Sequence, residues 1–169
     1  FIENRKQEAW HDETLWMVRA KRDKMSHSLP EWERLRELAC EIKLYSNSHL
    51  DVLLEEFEKN ATANGAIVHW AKDAAEHNAI VEEILQQHKA HTLIKSKSML
   101  TEECGMNDYL FGKGYDIIES DLGERILQWM KLHPSHIVMP AIHIKRQEVG
   151  EMMERVLGTE KGNSDPTYL

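Results

Sequence analysis

A chain of 169 residues with 41% hydrophobic and 30% charged content has the make-up of one well-cored globular domain, without a disorder-prone bias over most of its length. Its formal charge of −8, from 21 basic against 29 acidic residues, does not supply the clustered basic surface that phosphate backbones demand, so nucleic acid is not an expected partner. No apolar run approaches the roughly 20 residues of a membrane span, and Cys40 and Cys104 are too far apart to read as a disulfide scaffold, which points to a cytoplasmic setting.

The sequence opens on Phe1 with neither an initiator Met nor a signal-peptide pattern, and so reads as a piece of a longer polypeptide. From Phe1 to Met25 charged residues alternate with Trp10, Leu15, Trp16, Met17 and Val18, a pattern that predicts an amphipathic helix. Ser28 and Glu31 have the spacing of a capping box, with Pro30 in the first helical turn. Trp32, Leu35, Leu38, Ala39 and Ile42 then recur at helical spacing. Leu50, Leu53, Leu54 and Phe57 continue it to a left-handed exit at Asn64-Gly65. Ser46-Asn47-Ser48 is either a break between two helices or the polar face of one.

After Gly65 the period changes from helical to short apolar runs. Four strand–helix units are predicted: Ala66–Trp70 with a helix capped by Asp73 and running to His88; Thr92–Ile94 with Thr101–Phe111; Tyr115–Ile118 with Gly123–Leu132; and Ser135–Met139, between Pro134 and Pro140, with Ile144–Leu157. Such a succession implies an α/β fold, a parallel sheet with right-handed crossovers and helices on both faces. Residues 1–64 are then an N-terminal helical region, 65–158 an incomplete α/β core, and 159–169 a linker or tail. The five tryptophans and eight methionines fall mostly at helix-core spacing and are read as packing.

In open α/β sheets ligands bind beyond the carboxyl ends of the strands. There the chain places Lys95-Ser96-Lys97-Ser98 and Glu119-Ser120-Asp121, expected to emerge side by side from adjacent strands. The two lysines, with Ser96, Ser98 and Thr101, suit a small anion; the same residues also make an ordinary solvated strand end with Ser98 as helix cap. Asp121 is accounted for as a helix cap. Glu119 has no such duty and is the candidate catalytic carboxylate, next to Glu124. His143, past the fourth strand, would share that rim, whereas His136 lies at the opposite end of that strand. Ten histidines occur, but no HxH or HExxH spacing, so they are read as structural and no metal is expected in this segment.

Three linked stretches, Lys95-Ser96-Lys97-Ser98-Met99-Leu100-Thr101-Glu102-Glu103, Glu119-Ser120-Asp121-Leu122-Gly123-Glu124 and Pro134-Ser135-His136-Ile137-Val138-Met139-Pro140-Ala141-Ile142-His143, closely resemble the LUD family, in its iron-sulfur branch. The N-terminal helices and Gly65–Ala71 keep the same order, so the resemblance covers essentially the whole chain. It implies a fold similar to the NagB/RpiA/CoA-transferase group and a cytoplasmic role as an electron-transfer component in the oxidation of L-lactate to pyruvate, within a multi-subunit lactate utilization complex. It also implies further strands and ferredoxin-like 4Fe–4S clusters beyond Leu169, since two cysteines cannot provide the roughly four thiolates of one cluster. By itself the segment is then not expected to be an active oxidoreductase. Two other readings stand beside this one. One is a subunit-docking module without a ligand site of its own; the other is a small-anion or acyl-group enzyme of the CoA-transferase-like fold, with Glu119 as nucleophile or base.

Overall fold

The computed structural model describes residues 5–168; Leu169 and the first four residues of the expected N-terminal helix lie outside the described residues. In chain order the elements are α1 (Arg5–His27), α2 (Trp32–Ser48), α3 (Leu50–Ala63), α4 (Ala74–Gln87), β1 (Thr92–Lys95), α5 (Met99–Glu103), α6 (Met106–Gly112), β2 (Asp116–Glu119), α7 (Leu122–Met130) and α8 (Arg146–Leu157). The chain divides into two compact units. One joins the segment ending at Thr14 to everything from Ala71 onward; the other spans Leu15–Trp70.

In the smaller unit α2 and α3 are separate helices that pack against each other, with His49 between them. Neither helix buries a residue, and the stripe of Leu38, Ile42 and Phe57 remains exposed. The Ser28–Glu31 capping box does not form. The Ser28 hydroxyl donates instead to the Met25 carbonyl at 2.6 Å, α2 begins one residue after Glu31, and Pro30 lies in the turn before it. A serine hydroxyl satisfied by the helix behind it is not free to cap the one ahead.

The larger unit is α/β, and its two strands are parallel, as the sequence predicts, but among the described residues there are two strands rather than four. Ala66–Trp70, which closes the smaller unit, forms no strand, and Ile67 is 83% exposed. The Ser135–Met139 stretch folds on itself: Ser135 N–H donates to the Pro140 carbonyl at 3.1 Å, and His136 Nδ1 accepts the N–H groups of Val138 and Met139 at 3.0 and 3.1 Å. Its apolar side chains stay outside, with Val138 75% exposed. Apolar β-branched composition makes a strand only where a neighbour completes the ladder, and here a side-chain acceptor claims the backbone donors first.

The helix expected over Thr101–Phe111 is two helices. Gly105, at φ 59°, turns the chain left-handed between α5 and α6, a conformation that costs a side-chain-bearing residue. The junction is tied down from α4, where buried Asn78 donates to the Cys104 carbonyl at 2.8 Å. Leu85, Met106, Leu110 and Ile117 form one core cluster, with Leu93, Tyr109 and Tyr115 against it. Ile126 on α7 meets Met152 and Met153 on α8 in a second. Three methionines thus pack as expected, while Trp16, Trp70, Met17 and Met25 are exposed. Gly150 is where the following segment closes on α8: a Cβ there would lie 2.3 Å from the Asn163 carbonyl oxygen, so only glycine admits that approach.

Candidate functional site

β1 and β2 run side by side in the register Thr92↔Asp116, Leu93↔Ile117, Ile94↔Ile118 and Lys95↔Glu119. Because side chains alternate along a strand, Leu93 and Ile117 share a face with Lys95 and Glu119. The apolar pair enters the core cluster, and the charged pair closes its far end. Both charges are withdrawn from water, with side-chain exposures of 10% for Lys95 and 2% for Glu119. Lys95 Nζ lies 2.5 Å from Glu119 Oε1, donates to Thr101 Oγ1 at 3.2 Å, and is 3.9 Å from Glu102 Oε1. Asn107 Nδ2, presented by α6 just after the Gly105 turn, donates to the same Glu119 oxygen at 2.8 Å.

The free edge of β2 is met by a side chain where a third strand would pair. Gln128 Nε2 donates to the Ile117 carbonyl at 2.6 Å, and Gln128 Oε1 accepts the Glu119 N–H at 3.4 Å. One primary amide thereby reproduces the donor and acceptor of a neighbouring strand. Arg125 donates to the same Gln128 oxygen and stacks over Trp129 at 4.6 Å, which fixes the amide's orientation.

A pocket of about 550 Å³ opens beside this pair, with Asn107, Glu119 and Glu124 among its polar lining and Met106, Phe111 and Leu127 among its apolar walls. Glu119 Oε2, Glu124 Oε1, Asn107 Oδ1 and Lys97 Nζ are all buried without a hydrogen-bond partner among the described residues. Each such orphan costs about 1–3 kcal/mol, more when charged. Burial holds the Glu124 carboxyl above the usual carboxylate range, reinforced by the negative charges of Glu102 and then Glu119, against the pull of Lys97 and Lys95. Three carboxyl groups therefore face two ammonium groups.

The remaining residues singled out from the sequence divide into two sets. Ser98 accepts the Thr101 N–H at 3.4 Å and caps α5; Asp121 accepts the Glu124 N–H at 3.1 Å and caps α7. Thr101 donates to the Ser98 carbonyl at 2.9 Å while receiving Lys95. Ser96 is exposed. His143 belongs to different surroundings from the Lys95–Glu119 pair: its Nδ1 lies 2.7 Å from Ser135 Oγ, and its ring meets His11 of α1 edge-on at 6.3 Å. Burial pushes its pKa down, helped by the His11 charge. Glu102, Asn107 and Gln128 join the cluster without having been singled out. The signal for Asn107 was Gly105, which re-aims the helix carrying it; nothing in the spacing around Gln128 marks it as an edge cap.

The LUD domain model matches residues 54–165. Over 137 residues the chain is 41% identical to lactate utilization protein B of Bacillus pumilus, covering 80% of this chain and 29% of that protein. It is 38% identical to the uncharacterized electron transport protein YkgF of Escherichia coli, over 85% of this chain and 30% of that one. With lactate utilization protein B of Macrococcus caseolyticus the identity is 37%, over 90% and 32%. The chain thus spans about a third or less of the length of these relatives. No solved structure matches. The matched stretch takes in both strands, the ion pair between them and the helices that wall the pocket, and on that ground the chain belongs to the LUD domain family.

Proposed function

We propose that this chain is the LUD portion of an electron-transfer component of L-lactate oxidation to pyruvate, working with other subunits of a lactate utilization complex. The observation that carries the reading is the 37–41% identity to lactate utilization proteins B along 80–90% of the chain. The name of the Escherichia coli relative supports electron transport. Cys40, exposed, and Cys104, half-buried, are the only cysteines and do not make a cluster site. The 4Fe–4S centres that this reading requires belong to parts of the longer polypeptide outside this segment.

In this reading Lys97 is the cation that receives a small carboxylate, because Lys95 is committed to Glu119 and Lys97 Nζ is buried with no partner among the described residues. Lys97→Ala in the full-length protein is expected to slow lactate-dependent growth several-fold at unchanged protein abundance, with growth on glucose unaffected. Equal growth of the two alleles on lactate would remove the anion role.

The unpaired apolar stripe of α2 and α3 favours a second reading, a subunit-docking module. Ile42→Lys with Phe57→Lys is expected to release the full-length protein from its complex in size-exclusion chromatography while the α/β unit keeps its melting point. Retention of the complex by that variant would set the docking reading aside.

A further inference from the structure

We infer that the pocket beside Glu119 and Glu124 binds an alkylammonium or guanidinium head, a hydrogen-bond-donating monocation on a short apolar stem. This goes beyond the lactate reading and does not depend on it, since Lys97, the cation of that reading, is not among the residues that line this pocket.

The orphaned atoms among the pocket's lining residues are all acceptors by geometry: Glu119 Oε2, Glu124 Oε1 and Asn107 Oδ1. The Asn107 amide nitrogen is already spent on Glu119 Oε1, so its oxygen is the atom left over. Both glutamates are more than nine-tenths buried, and no donor among the described residues satisfies these oxygens. A primary ammonium carries three N–H donors, and a guanidinium carries five in a planar fork. Either supplies the donors that three orphaned acceptors lack, whereas a carboxylate supplies none.

Charge leads to the same guest. Among the charged groups that line or face the pocket, Glu102, Asp108, Glu119 and Glu124 stand against Lys95, Lys97 and Lys131, which leaves one negative charge in excess when all are ionised. A monocation cancels it; an anion doubles it. Burial, and then the charges of Glu102 and Glu119, push the Glu124 carboxyl upward, and a cation seated beside it works against that push. Met106, Phe111, Leu127 and Leu132 supply apolar wall for a stem, and the volume of about 550 Å³ suits a small molecule or a single long side chain.

The head group has two sources, a free amine or the lysine or arginine side chain of another polypeptide. NMR titration of the 169-residue chain with butylammonium, butylguanidinium, butyrate and a capped pentapeptide with a central lysine separates them. The two butyl cations are expected to give saturable shifts at the amides of Met106, Asn107, Glu124 and Gln128, with none from butyrate. Glu124→Gln should weaken binding about tenfold, the scale of a lost hydrogen bond to a charged group. Glu102→Gln, at a more exposed position that leaves the buried hydrogen bonds in place, should weaken it less and serves if the first variant unfolds. A peptide that binds more tightly than butylammonium assigns the site to a partner side chain; a peptide that is excluded assigns it to a free amine. Butyrate binding as tightly as butylammonium would overturn the inference. So would the absence of any cation binding; an infrared carboxylic-acid band at neutral pH that disappears in Glu124→Gln would then show that a shared proton satisfies the acceptors instead.

Discussion

Glu119→Ala should destabilise the α/β unit by about 3–5 kcal/mol, the cost of leaving a buried charge without its partner. Lys95 reaches Glu119 at 2.5 Å with a side chain 10% exposed, and its other carboxylate, Glu102, stands 3.9 Å away. Removing Glu119 strands the ammonium in a place that water scarcely enters. It also takes away the acceptor of Asn107 Nδ2, one of the contacts between α6 and β2. At roughly 2–4 °C per kcal/mol for a chain of this size, the melting point of that unit should fall by about ten degrees. Urea denaturation followed at Trp129, which lies within it, checks this; a midpoint unchanged from the parent chain would mean that the pair contributes nothing. Glu119→Gln retains an acceptor and should fall between the two.

Gln128→Ala should cost about 2–4 kcal/mol, because it leaves the Ile117 carbonyl and the Glu119 N–H without their protein partners at a partly buried edge. The effect should be local. Amide exchange at Glu119 is expected to speed up by at least an order of magnitude, while exchange in α4 changes only with global stability. Gln128→Glu discriminates further: its carboxylate still accepts from the Glu119 N–H and Arg125 but sets an acceptor against the Ile117 carbonyl where the amide donated, so it should not recover the loss. If Glu119 exchanges no faster in Gln128→Ala, the side chain does not stand in for a strand.

The neighbouring emergence of Lys95 and Glu119 was legible because two short β-branched runs, each followed by a charged cluster and a cappable helix, have one economical arrangement as parallel strands. The caps at Asp73, Ser98 and Asp121 were legible for a local reason, since the accepting side chain and the N–H that donates to it sit three residues apart. The stretches Ala66–Trp70 and Ser135–Met139 were misread because composition reports willingness to form a strand, not the presence of a partner. His143 was expected at the rim only on the premise of that fourth strand; with the strand replaced by a turn, the ring packs on Ser135 and α1 instead. Asn107 and Gln128 act through tertiary hydrogen bonds 12 and 11 residues from their main partners, and no local pattern encodes those.

The central physical claim is that one ion pair, closed across co-directional strands, anchors this end of the sheet and shapes the pocket beside it. A double-mutant cycle on Lys95→Met and Glu119→Leu measures it most directly. The account predicts a coupling of at least about 2 kcal/mol, with the double variant more stable than the worse single one, since replacing both charges leaves neither unpaired. Two single effects that add to within about 0.5 kcal/mol would place the two side chains out of contact and contradict it.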